Sequence, residues 1–268
     1  MLLLPVAKPP WKKLGRRLES MLRKALYEYR MLEGVTRVGV ALSGGKDSLT
    51  LLFLLHAISG RGFPNLEIHA FHVGGEFSCG AGIELSFLKG ICRTLDIPFH
   101  TRTQKRQEDE CYACSRQRRR LLFDMAKEVS IETIAFGHHR DDNAQTLLMN
   151  LLHKGEFAGM LPNLRMVDYG VAIIRPLIYI SEAEIRTFSK EHGFARITCQ
   201  CPIGAQSMRK KVDRLLTDLE DLYPNVRENL SRASLVYGSE KARMELNERE
   251  LLEDNEAHEK AFAYPFNQ

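Results

Sequence analysis

The stretch VGVALSGGKDSLTLLFLLHA, residues 38–57, decides the fold. An apolar run carrying β-branched valines enters two adjacent glycines, and the leucine-rich run that follows is too long to extend the same strand. Between the two stand Ser43, Gly44, Gly45, Lys46, Asp47 and Ser48. A strand that turns through glycines into a helix presents free backbone N–H groups and the positive end of the helix dipole, which together favour phosphate. Two familiar phosphate loops are excluded by spacing. In the Walker pattern Gly-Lys precedes Ser or Thr, but Asp47 follows Gly45-Lys46 and Val40 stands where the earlier glycine should be. The dinucleotide fingerprint fails because its spaced third glycine is missing.

Further along, apolar β-rich runs alternate with helical patterns. Residues 37–42, 66–73, 97–101, 133–136 and 171–174 read as strands, and 48–58, 83–95, 115–129, 142–152 and 182–192 as helices. That alternation predicts an α/β fold, a mostly parallel sheet with helices on both faces. Residues 12–32 place Leu14, Leu18, Leu22, Leu26 and Tyr29 at helical spacing among basic residues. The expected organisation is a basic N-terminal helical extension over 1–34, one nucleotide-binding domain over 35–205, and a helical tail over 206–268 in which 207–237 and 239–261 are helical.

With 268 residues, 44% hydrophobic and 27% charged, the chain has the make-up of an ordinary globular protein rather than a disordered one. Its first apolar residues precede the basic ones, the reverse of a secretory signal, and are too few to span a bilayer, so a cytoplasmic protein without a membrane segment is expected. A net charge of +4 permits a nucleic-acid partner without demanding one. Six cysteines in such a chain suggest thiols, metal ligands or redox groups rather than a disulfide framework.

The loop of Ser43 to Ser48 resembles the SGGxDS loop of the PP-loop (N-type) ATP pyrophosphatase superfamily. That resemblance implies ATP cleaved between its α- and β-phosphates, so that a substrate oxygen is adenylated and pyrophosphate leaves. Gly44 and Gly45 would let the backbone approach the phosphates, the Ser43 and Ser48 hydroxyls and the Lys46 ammonium would bond their oxygens, and Asp47 would orient Mg2+ or a loop amide. A second block, IAFGHHRDDNAQ from Ile134 to Gln145, resembles the family's GHxxDDxxET element, with Gln145 where glutamate is usual. Gly137, His138 and Asp142 are its expected nucleotide-binding residues. Asp141 or Asp142 reads equally well as the N-cap of the following helix.

Cys111 and Cys114 form a CxxC followed by Arg116, Arg118, Arg119 and Arg120, and downstream Cys199 and Cys201 precede Pro202. A CxxC alone fits a redox dithiol, half of a zinc site or part of an iron-sulfur site. Together with RPLIYISEAEIR from Arg175 to Arg186, these motifs make most of the chain similar to the tRNA 2-thiocytidine synthetase (TtcA) group. The resemblance implies a 4Fe-4S cluster on Cys111, Cys114 and Cys201 with one iron open to carry sulfide, a tRNA substrate whose cytidine C2 oxygen is adenylated, and a cysteine desulfurase as sulfur donor. Lys46, Asp47 and the three cysteines would then be the catalytic set. Cys199 leaves open a four-thiolate zinc site. Arg116, Arg118, Arg119, Arg120, Arg209, Lys210 and Lys211, with Lys12, Lys13, Arg16 and Arg17, are the expected RNA-binding surface, although a solvated charged face explains such runs as readily. Cys79 and Cys92 read as buried or incidental. Rival readings are uridine thiolation, sulfur transfer to a small molecule, and a nucleotide-binding redox sensor. A homodimer is a further expectation, resting on the acidic end of the tail.

Overall fold

The computed structural model describes residues 4–75, 85–104, 111–194 and 208–238, with only the backbone given for 111–114. Helix α1 (Lys13–Glu28) precedes strand β1 (Arg37–Ala41), which runs through the glycine turn into helix α2 (Lys46–Ile58). Then follow β2 (Glu67–Gly74), α3 (Leu85–Thr94), β3 (Phe99–Thr103), α4 (Cys111–Glu128), β4 (Thr133–Ala135) and α5 (Arg140–Lys154). After these come β5 (Asn163–Met166), β6 (Val171–Ile174) and the helices α6 (Glu182–Glu191), α7 (Met208–Leu222) and α8 (Val226–Tyr237). The strands form one sheet in the order β3-β2-β1-β4-β6-β5, and every neighbouring pair is parallel except β5 with β6.

The period of two along the strands divides the core. On β2, Ile68 and Ala70 join an apolar cluster with residues of α1, α2, α3 and α6, while Phe71 and Val73 join a second with Leu122, Phe123, Met125 and Ala126 of α4. Helix α2 has apolar residues all round and is buried nearly throughout, since α1 and α6 cover what the sheet does not. Leu18, Leu22, Ala25 and Leu26 of α1 are buried in the first cluster, and Arg17 pairs with Glu184 of α6 at 2.7 Å. Parallel crossovers leave the carboxyl ends of β1 and β4, and the helix starts that follow them, along one edge of the sheet.

The predicted strands and helices are present, with shifted ends. Two features differ from expectation. Strand β5 lacks a pattern to announce it: it lies at the sheet edge, its polar Asn163 and Arg165 are exposed, and it is held to β6 through a short 3-10 turn. The segment 207–237 is two helices, because Pro224 has no N–H to continue the ladder of α7. The expected helix 239–261 lies outside the described residues.

Candidate active site

At the carboxyl end of β1 the chain turns through Gly44, whose φ of +85° lies in the left-handed region that a side chain would disfavour. Ser48, the third residue of α2, accepts a hydrogen bond at Oγ from the Gly44 N–H (3.1 Å) and donates to the Gly45 carbonyl (3.0 Å), while the Gly45 N–H donates to Ser43 Oγ (3.3 Å). The two hydroxyls lie 3.1 Å apart. The first α2 amide bonded within the helix is that of Leu49, to the Gly45 carbonyl at 3.1 Å, so the amides of residues 46–48 form the open N-terminus.

The second block arrives from β4. A Cβ on Gly137 would stand 3.0 Å from the Asp47 carbonyl carbon and 3.0 Å from the Ser48 nitrogen, so a side chain here would push the two loops apart by a few tenths of an ångström. The cap of α5 is His139, not an aspartate: its Nδ1 accepts from the Asp142 N–H (3.4 Å), and Asp142 Oδ2 accepts from the His139 N–H (3.1 Å). Asp142 also takes Arg209 Nη1 at 2.7 Å. Asp141 faces the next loop, where its Oδ2 accepts the Glu182 N–H at 2.8 Å.

Between these loops lies a cavity of about 270 Å³ lined by Ser43, Asp47, Ser48, Gly137, His138, Asp142 and Arg118, with Phe71, Val73, Leu122 and Phe136 as its apolar wall. His138 stacks on Phe136 at 5.7 Å. Burial, with help from Arg175, Arg209 and His139 and against the pull of Asp142, lowers its pKa to about 3, so the ring is neutral. Burial pushes the Asp142 carboxyl the other way, but the two histidines and Arg209 outweigh it and hold the pKa near 2. Burial also disfavours the Lys46 charge, yet Asp47 and Glu182 more than offset it and the pKa is raised.

Several of the expected RNA-binding residues occupy different surroundings. Arg118 lines the cavity, and its buried Nε and Nη2 lack a hydrogen-bond partner among the described residues. Arg116 and Arg120 are exposed and Arg119 half-buried. On α7, Lys210 and Lys211 are exposed while Arg209 is turned onto Asp142. Cys111 and Cys114 stand at i and i+3 in the first turn of α4, hence on one side of the helix, and Arg118 follows Cys114 by one turn. A Cys-x-x-Cys spacing in the opening turn of a helix suits part of an iron-sulfur or zinc centre. Cys79, Cys199 and Cys201 lie outside the described residues. Cys92 is buried, and burial raises its thiol to about 12.

Sequence reasoning passed over two residues. Arg175, at the end of β6, is buried with Nε unpartnered among the described residues, and burial beside Arg119 lowers its pKa to about 10 against Asp142. Glu182 lies 3.0 Å from Lys46 Nζ. The signal for Arg175 was its place at the carboxyl end of the parallel strand β6, and for Glu182 the Ser181–Glu184 capping box marking the start of α6.

The family model of the PP-loop domain matches residues 12–198. The tRNA-cytidine(32) 2-sulfurtransferase of Coxiella burnetii is 36% identical over 233 residues, covering 83% of this chain and 90% of that one. Its namesake from Geobacter sulfurreducens is 30% identical over 227 residues, covering 81% and 88%. A solved structure of the U34-tRNA thiolase NcsA from Methanococcus maripaludis, with its 4Fe-4S cluster, shares the fold with a TM-score of 0.65 and 24% identity, covering 82% of this chain and 77% of that one. On the extent of these matches, the chain belongs to the PP-loop domain family and, within it, to the family of the tRNA-cytidine(32) 2-sulfurtransferases.

Proposed function

We propose that this protein is an ATP-dependent tRNA sulfurtransferase that converts a cytidine of the anticodon loop to 2-thiocytidine. The observation that carries the reading is the meeting of the Ser43–Ser48 loop, the His138–Asp142 block and Arg118 of α4, four residues after the Cys-x-x-Cys pair, around one cavity. ATP lies with its phosphates on the open amides of residues 46–48 and on Lys46, with Ser43 and Ser48 exchanging their internal hydrogen bonds for phosphate oxygens. Asp47 and Asp142 are the carboxylates available to orient Mg2+. The C2 oxygen of the cytidine attacks the α-phosphorus, the bond to the bridging oxygen breaks, and pyrophosphate leaves with its charge met by Lys46 and the helix terminus. Neutral His138, flat against Phe136, offers the splayed base or the nucleotide a surface rather than a charge. Sulfur then displaces AMP from C2.

Cys111 and Cys114, with Cys201 as third ligand, would hold a 4Fe-4S cluster, whose chemistry when bound is to present sulfide as a nucleophile at neutral pH. A cysteine desulfurase supplies that sulfur in this reading, and a homodimer remains part of the proposal. Among the described residues no helix is long and apolar enough to cross a membrane.

The test is anaerobic purification with iron and sulfide analysis, then pyrophosphate release and nucleoside analysis of tRNA after incubation with ATP and a sulfide source. Cys111→Ser, Cys114→Ser and Cys201→Ser are each expected to lose iron and 2-thiocytidine, and Cys199→Ser to keep both. A colourless zinc protein, or ADP as product, overturns the reading.

A further inference from the structure

We propose that Glu182 is a positioning residue for Lys46, holding its ammonium where the departing pyrophosphate gathers charge. The inference rests on the nucleotide site proposed above. Lys46 is the first residue of α2, so its ammonium faces the positive end of that helix and gains nothing from the dipole. Its long stem leaves many orientations open, and Asp47, next to it on the same helix, pins it from one side only, at 3.0 Å. The second anchor comes from another element. Glu182 Oε1 stands 3.0 Å from Lys46 Nζ and 3.0 Å from Arg186 Nη2, one turn along α6.

Glu182 is itself fixed. Its N–H donates to Asp141 Oδ2 at 2.8 Å, and Ser181 caps α6 by accepting from the Glu184 N–H at 3.2 Å. The Glu182 carboxylate thus ties the first loop to the start of α6 through residues whose backbones are hydrogen-bonded in place. His139 and Arg186 are the other charged or titratable groups acting on it.

The sign of one measurement separates positioning from plain electrostatics. Removing a carboxylate beside an anion site should, by Coulomb's law alone, tighten anion binding. If Glu182 acts by aiming Lys46, removal weakens it. Inorganic pyrophosphate with magnesium, titrated calorimetrically, is the probe. E182Q is expected to bind about 10-fold more weakly, E182D to recover to within about threefold, and E182Q to add nothing in a K46A background. With ATP and tRNA, kcat for pyrophosphate release should fall about 10-fold in E182Q while KM for ATP moves less than about threefold. Unchanged or tighter pyrophosphate binding by E182Q, or a further loss in the K46A background, overturns the inference. Failure of the wild-type protein to release pyrophosphate would overturn the proposed function instead, and the calorimetry would still decide the role of Glu182.

Discussion

His138 carries a pH dependence that follows from its burial. Its native pKa near 3 lies below the ordinary histidine value of 6.5, so as pH falls through 6.5 the unfolded chain takes up a proton that the native protein refuses. Stability is therefore full above about 6.5 and is lost toward 3, by at most about 1.4 kcal/mol per pH unit. Asp142, with its pKa held near 2, adds stability above its ordinary 3.8 that fades as pH drops through 2. Urea unfolding of His138→Asn between pH 6 and 4 should show a shallower slope than the parent protein. Gln145 is the residue at which this chain departs from the family pattern, and the structure supplies a reason. Its Nε2 donates to Asp213 Oδ1 at 2.8 Å, an oxygen also held by Arg227 at 2.8 Å. Gln145→Glu would set one carboxylate against another and should cost about 1–2 kcal/mol in urea denaturation at neutral pH, recovered by Asp213→Asn. The substitution was readable in the sequence; its partner, 68 positions away, was not.

At the scale of elements, α5 and α8 share a buried polar junction. Asn143 is fully buried; its Nδ2 donates to Ser234 Oγ (2.7 Å), Ser231 Oγ (3.0 Å) and the Ser231 carbonyl (3.3 Å), and its Oδ1 accepts from the Met160 N–H (2.6 Å). Asn143→Ala strands several of these groups away from water and should destabilise by about 2–3 kcal/mol, read as a lower urea midpoint with an unchanged m-value. The elements themselves were legible wherever burial imposed a period. Strands β1, β2, β4 and β6 carry apolar runs because they lie inside the sheet, and α1 shows its leucine stripe. Edge strand β5 escaped because solvent on its exposed side removes any demand for apolar residues, and the break before α8 was overlooked although Pro224 marks it. Of the site, the two glycine-centred loops were legible because close approach demands particular residues. The contributions of Arg175 and Glu182 were not, since the sequence does not show which partner a single charged residue at a strand end or a helix start will face.

On the scale of the whole molecule, the basic residues divide by what they face. Arg116, Arg120, Lys210 and Lys211 carry exposed side chains, whereas Arg118 looks into the cavity. Replacing all four exposed residues with glutamine should weaken tRNA binding at physiological salt and flatten its dependence on salt concentration, as fewer counterions are released. Arg118→Gln should leave that salt slope within about one unit of the parent and instead lower the rate of pyrophosphate release with tRNA saturating. Filter binding across a salt series, beside a single-turnover assay, distinguishes the two groups.

The Ser43 and Ser48 hydroxyls already occupy the Gly44 and Gly45 amides in the free loop. Arrival and departure of a nucleotide at these two donors are thus exchanges of one acceptor for another, and neither event strands an amide without company. Such a seat adds little to raw grip but keeps its shape between turnovers, which suits an enzyme that must let both pyrophosphate and AMP go before the next tRNA is served.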